Sequence, residues 1–65
     1  MNTFYFAINK ETGEYFVGKR TQVGYTESRY LKQAIAHHRK RKGSKGEYEI
    51  YEVNKKGQVE LYDRY

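Results

Sequence analysis

Only one stretch of this chain repeats its apolar residues at a helical spacing, and it lies in the middle: Thr26 to Lys42, TESRYLKQAIAHHRKRK. The flanks read as strands broken by turns, so one helix has to cover whatever sheet they form. Tyr30, Leu31, Ala34, Ile35 and His38 fall at i, i+1, i+4, i+5 and i+8, a single stripe expected to lie on that sheet. Thr26 suits the N-cap, with Glu27 next, where a negative charge meets the positive end of the helix dipole. Arg39, Lys40, Arg41 and Lys42 fill the last turn, where cations oppose the negative end, and Gly43 suits the left-handed residue that closes a helix.

Before the helix, Phe4, Phe6 and Ile8 alternate with Tyr5 and Ala7, the period of a strand. Asn9-Lys10-Glu11-Thr12-Gly13 carries Asn at the start of a turn and Gly where a left-handed residue is needed, and Glu14 to Lys19 reads as a returning strand. A four-residue loop from Lys10 to Gly13 sets Ile8 opposite Tyr15 and Phe6 opposite Val17, and puts Phe4, Phe6, Ile8, Tyr15 and Val17 on one face. Burial favours that loop, with this face inward and Tyr5 and Phe16 outward. After the helix, Gly43 to Gly46 is a short loop, Glu47 to Val53 a third strand, Asn54 to Gly57 a second turn and Gln58 to about Tyr62 a fourth strand. Two registers are open for this hairpin: one groups Tyr48, Ile50, Val59 and Leu61, the other Tyr51, Val53, Val59 and Leu61. The expected fold is α+β, ordered ββαββ, a single domain over residues 1–65 with the helix on an antiparallel sheet of up to four strands.

A chain of 65 residues buries only about 60% of the surface its unfolded form exposes, and this one has no cysteine to staple it. Eight Tyr and three Phe must carry the packing, and a second copy of the chain, as a homodimer, is a candidate for adding to it. Aromatic residues on an outer sheet face and free sheet edges point the same way. Formal net charge is +5, which favours anionic partners, nucleic acid among them. No apolar run approaches the roughly 20 residues of a membrane span, and no signal-peptide apolar stretch follows Met1, so no membrane partner and a cytoplasmic location are expected.

Catalytic patterns are sparse. His37 and His38 are adjacent and point about 100° apart on a helix, a poor pair for one metal. Ser28 and Ser44 have no His/Asp arrangement near them, the carboxylates are spread over strands, and no glycine-rich phosphate loop precedes the helix. Tyr15-Phe16-Val17-Gly18-Lys19, ahead of a helix with Arg29, resembles the second strand of the GIY-YIG nucleases, which implies a Tyr, an Arg and a metal-binding Glu acting together. The first strand lacks the Gly-Ile-Tyr pattern, and no carboxylate is an evident counterpart of the metal ligand. The chain therefore reads as a non-enzyme with no cofactor and no metal.

The basic helix is the stronger pointer to a partner. Arg29, Lys32, Arg39, Lys40, Arg41 and Lys42, with Lys45 beyond, can line a phosphate backbone, and Tyr5 and Phe16 are the aromatic candidates for a recognition surface on the sheet. Lys10-Glu11-Thr12-Gly13-Glu14 with Leu31, Ala34 and Ile35 resembles the arm-binding domains of tyrosine recombinases, which implies a small basic DNA-binding protein. Nearly the whole chain resembles small phage-encoded proteins of Gram-positive bacteria, through Asn9, Lys10, Thr12, Gly13, Phe16, Leu31, Lys32, Ile35, Glu49, Ile50, Glu52 and Val53. That resemblance implies a protein acting in the host bacterium by contact, inhibiting or modulating an anti-phage defence protein or another host protein that handles nucleic acid. It ranks first here, with direct DNA binding as the alternative.

Overall fold

A computed structural model describes residues 3–18, 21–43 and 46–65. Lys19, at the far end of the expected second strand, Arg20 in the connection after it, and Ser44 and Lys45 in the loop after the helix lie outside the described residues. The order is β-α-β-β: β1 (Phe4–Asn9), α1 (Ser28–Lys42), β2 (Tyr48–Val53) and β3 (Val59–Arg64). The strands form one antiparallel sheet in the order β1-β2-β3, with α1 on one face.

The expected strand after the first turn does not form among the described residues. The turn itself is as read: Asn9 Oδ1 accepts from the N–H groups of Glu11 and Thr12, Gly13 takes φ 74°, and the N–H of Asn9 donates to the carbonyl of Glu14 at 2.8 Å. Ile8 then meets Tyr15 in a single bridge, the register that a four-residue loop requires. Pairing stops there because the chain turns back, the N–H of Gly18 donating to the carbonyl of Gln22 at 2.8 Å. It returns so that Tyr25 pairs with Tyr5 through two main-chain hydrogen bonds of 2.7 and 2.8 Å. One loop thus covers the open edge of β1 at two points and swings the rings of Phe16 and Tyr25 under the helix, where a continuing strand would carry the chain away from it.

Which face meets the helix is the main correction. Phe4, Phe6, Ile8, Tyr15 and Val17 do share a face, but it points away from α1: Tyr15 is 59% and Val17 48% exposed. The core is built on the opposite face, from Ala7, Tyr48 and Ile50 of the sheet, Leu31 and Ile35 of the helix, and Phe16 and Tyr25 of the loop, with Tyr5 and Ala34 packed against them. Phe16 and Tyr5, expected on the outside, belong to this layer. Phe16 is 4% exposed and meets Tyr48 and His38 edge to face, both at 5.6 Å. The physical reason is steric. Alanine at position 7 lets the helix approach closely enough for Leu31, Ile35 and Ile50 to fill the gap completely, whereas three bulky β1 side chains would hold it off.

The helix stripe is narrower than its pattern. Leu31 and Ile35 are fully buried, Ala34 and His38 half-buried, and Tyr30 stands at the rim, 46% exposed. The N-cap is Glu27, not Thr26, and it makes no side-chain cap bond; Gly43 ends the helix at φ 65°, as expected. In the second hairpin Asn54 donates to the carbonyl of Gln58 and Gly57 takes φ 81°, a three-residue loop that sets Val53 opposite Val59 and Tyr51 opposite Leu61. A bulge opposite Ile50 and Tyr51 then gives β3 one extra residue. In consequence both Tyr62 and Asp63 reach the helix side, Tyr62 against the ring of Tyr5 at 5.0 Å and Asp63 to Lys32.

Candidate functional site

Completing the core leaves two surfaces with chemistry still available. The first is the outer face of the sheet. Two apolar rows cross it, Phe4-Val53-Val59 and Phe6-Tyr51-Leu61, followed by a row whose Glu49 and Arg64 pair at 3.8 Å. Phe6 stacks on Tyr51 with centroids 5.4 Å apart and planes 19° off parallel, and meets Tyr15 at 5.6 Å. Pre-packed rings of this kind present a rigid surface and lose little side-chain entropy on binding. Val59 and Leu61 remain 53% and 46% exposed, and among the described residues no strand pairs with the far edge of β3. Tyr51, Val59 and Leu61 were legible as apolar residues but not as surface, because that depended on which face the helix took.

The basic helix divides into cations used by the fold and cations left over. Arg29 pairs with Glu27 at 3.2 Å and lies over the ring of Tyr30, and the Glu27 carboxylate raises its pKa. Lys32 donates to Asp63 at 2.6 Å; that hydrogen bond raises the lysine pKa and lowers that of the carboxyl group, which also accepts from the N–H of Arg64. Arg39 is the most committed of the six. It donates to the carbonyl of Gly46 at 2.7 and 3.2 Å and to a main-chain oxygen of Tyr65, and lies 5.0 and 5.7 Å from the rings of Tyr65 and Tyr48. It ties the end of the helix to the end of β3. Lys40, Arg41 and Lys42 are exposed and make no ion pair or hydrogen bond among the described residues.

Of the two aromatic candidates, Tyr5 lies on the helix side, its hydroxyl donating to Glu52 at 3.2 Å. Burial first, then that hydrogen bond, pushes its pKa up. Phe16 is inside the core, so it acts by holding the loop in place and not by touching a partner.

The second surface is a cleft of about 550 Å³ between α1 and the residues Phe16, Val17, Gly18, Gln22 and Tyr25. Tyr25 and Phe16 form its floor and Tyr30 one wall; Gln33, His37 and Arg41, one helical turn apart in succession, form the helix side. Among the described residues no carboxylate lines it. Tyr30 belongs to the apolar stripe in the sequence, Gln33 and His37 fall outside it, and Gln22 lies in the polar stretch from Arg20 to Gly24; nothing in their spacing signals a cleft, which exists only once the chain folds back. Among the described residues no three His, Cys, Asp or Glu side chains are grouped as a metal site would need, and no helix is long and apolar enough to cross a membrane. No known family's model, no curated protein and no solved structure matches this chain.

Proposed function

We propose that this chain works by contact, docking a partner protein on the outer face of its sheet, in the manner of the small phage-encoded inhibitors it resembles. The observation that carries the reading is the pair of apolar rows across all three strands, buried at Val53 but half-exposed at Val59 and Leu61, on the face turned away from α1. Specific interfaces centre on aromatic and aliphatic groups already packed in place, with charge at the rim, and the stacked Phe6 and Tyr51 beside the Glu49–Arg64 pair have that layout. A host protein that handles nucleic acid suits the net charge of +5, since such proteins carry acidic channels and metal-binding carboxylates as well as basic grooves.

The test is capture from bacterial lysate with three forms of the chain: wild type, Val59→Thr with Leu61→Lys, and Lys40→Glu with Arg41→Glu. Thr keeps strand preference, and every altered residue is exposed, so all three should give the same circular dichroism. The reading expects a partner held by the wild type and the helix variant and released by the sheet variant. A partner lost only with the helix variant would sink it. So would a wild-type dimer at micromolar concentration that Leu61→Lys dissolves, because the face would then belong to a second copy.

The three uncommitted cations favour a second reading, direct DNA binding. With Arg29, Lys32 and Arg39 engaged in the fold, it rests on Lys40, Arg41 and Lys42, so the slope of log affinity against log salt should be about −3 on duplex DNA. No binding to random duplex at low salt would remove it.

A further inference from the structure

We infer that the cleft beside α1 is a binding site for a nucleoside phosphate unit. Its volume of about 550 Å³ lies within the range of roughly 300–1,000 Å³ typical of small-molecule sites. Its walls supply, in one place, the three contacts such a ligand needs. Tyr30 offers a half-exposed ring with Arg29 lying over one face at 4.9 Å, which leaves the other face for a base to stack on, while Tyr25 and Phe16 are buried and fixed. Gln22 and Gln33 bring side-chain amides from the loop and the helix to the space; Gln22 spends one N–H on the carbonyl of Gly24 at 3.1 Å, which leaves it a second N–H and its oxygen, and an amide's donor and acceptor together are the complement of a base edge. Lys40 and Arg41 stand on the helix side with no intramolecular partner among the described residues, free to take a phosphate group.

The electrostatics select for anions despite the helix end. The C-terminus of a helix contributes only about half a negative charge, and the cleft adds two full positive charges from Lys40 and Arg41 with no carboxylate among the described lining residues to offset them. The contrast with Lys32 is instructive: that lysine faces Asp63, so its side of the helix is neutralised within the chain. Two of the three helix cations without a partner among the described residues, Lys40 and Arg41, therefore lie on the cleft side, which also carries the half-exposed ring of Tyr30. A nucleoside phosphate unit is available either as a free nucleotide or as part of a single strand, and both present the same base, sugar and phosphate.

The experiment titrates the full chain with adenosine monophosphate, adenosine, inorganic phosphate and an oligothymidylate, following amide resonances by NMR. Two charge-matched variants serve as a pair: Lys40→Gln with Arg41→Gln in the cleft, and Lys55→Gln with Lys56→Gln in the turn between β2 and β3. Saturable shifts at residues lining the cleft are expected, with the cleft variant weakening the nucleotide about tenfold or more and the turn variant changing it less than about twofold. Tyr30→Leu should weaken binding of the base-bearing ligands and leave inorganic phosphate unaffected. Tighter binding of the oligothymidylate than of the mononucleotide at the same residues assigns the site to a strand; equal or weaker binding assigns it to free nucleotides. Equal losses in the two charge-matched variants, or no shift at the cleft with millimolar nucleotide, would overturn the proposal.

Discussion

The approach of Gly18 to Tyr25 offers a sharp test of how the loop is held. A Cβ built at Gly18 collides with the Tyr25 hydroxyl oxygen, while its distance to the ring carbon that bears the oxygen is 3.4 Å and to the carbonyl of Gln22 3.6 Å. The ring cannot retreat, because Tyr25 is in the core, 8% exposed. Gly18→Ala should therefore pay an overpacking penalty of about 1–3 kcal/mol. Offsetting it, alanine restricts the unfolded chain and returns about 0.4–1 kcal/mol, since φ at position 18 is not in the left-handed region. The net cost is about 1–2 kcal/mol, which for a domain of this size lowers Tm by roughly 5–15 °C.

Tyr25→Phe removes the oxygen and leaves the ring. That hydroxyl makes no hydrogen bond among the described residues, so the substitution alone should cost little. In the phenylalanine background the same Gly18→Ala change meets the ring at 3.4 Å and the carbonyl of Gln22 at 3.6 Å, both ordinary contacts, and should be neutral or stabilising by a few tenths of a kcal/mol. The coupling in the double-mutant cycle is then about 1–2 kcal/mol. Thermal and urea unfolding of the four chains, followed by circular dichroism, measures it. Equal costs of Gly18→Ala in both backgrounds would refute the idea that the hydroxyl sets the residue at position 18.

Leu31→Ala or Ile35→Ala, at fully buried positions, should cost about 2–5 kcal/mol, and Ile35→Val only about 0.5–1.5. Total stability for 65 residues is expected at roughly 3–10 kcal/mol, so either alanine variant should show a large unfolded fraction in urea titrations that the valine variant does not. Asp63 has its pKa lowered by Lys32 and the N–H of Arg64, so its contribution is present above the unfolded carboxyl pKa of about 3.9 and disappears as pH falls through the lower folded value. Asp63→Asn should accordingly lower the urea midpoint at pH 7, with the deficit shrinking as pH falls below the unfolded carboxyl value of about 3.9; a deficit that does not shrink in acid would contradict the pairing. Gly57 at φ 81° allows Asn54 to accept from Lys56 and Gln58 in a three-residue turn, so Gly57→Ala should cost about 1–2 kcal/mol, whereas Lys55→Ala in the same turn should be nearly silent by the same unfolding assay.

Short-range chemistry was legible in the sequence because it depends only on neighbours along the chain. Asn9 and Gly13, and Asn54 and Gly57, determine their turns through side-chain oxygens and left-handed glycines. Gly43 ends the helix, the basic last turn suits its dipole, and Leu31 and Ile35 mark the buried line of the stripe. The first register followed from its loop length, so the residues sharing each face of β1 were also determined locally. Where the basic residues end up was not. Lys32 and Arg39 look like Lys40 and Arg41 in the sequence, and only the packing of β3 against the helix, with its bulge turning Asp63 inward, separates those that hold the fold from those that remain free.

The face taken by the helix was beyond the sequence for the same reason. Alternation states which side chains point the same way, and both faces of β1 and β2 carry enough apolar residues to be buried. The choice between them depends on how closely a helix can approach, which the small side chain of Ala7 permits and Phe4, Phe6 and Ile8 would prevent. That one decision put Phe16 and Tyr25 in the core, turned the chain back at Gly18, opened the cleft beside Tyr30, and left the rows of Phe6, Tyr51 and Leu61 facing outward. Local geometry is set by residues a few positions apart, but a two-layer fold is settled by volume, and volume is a property of the packed molecule.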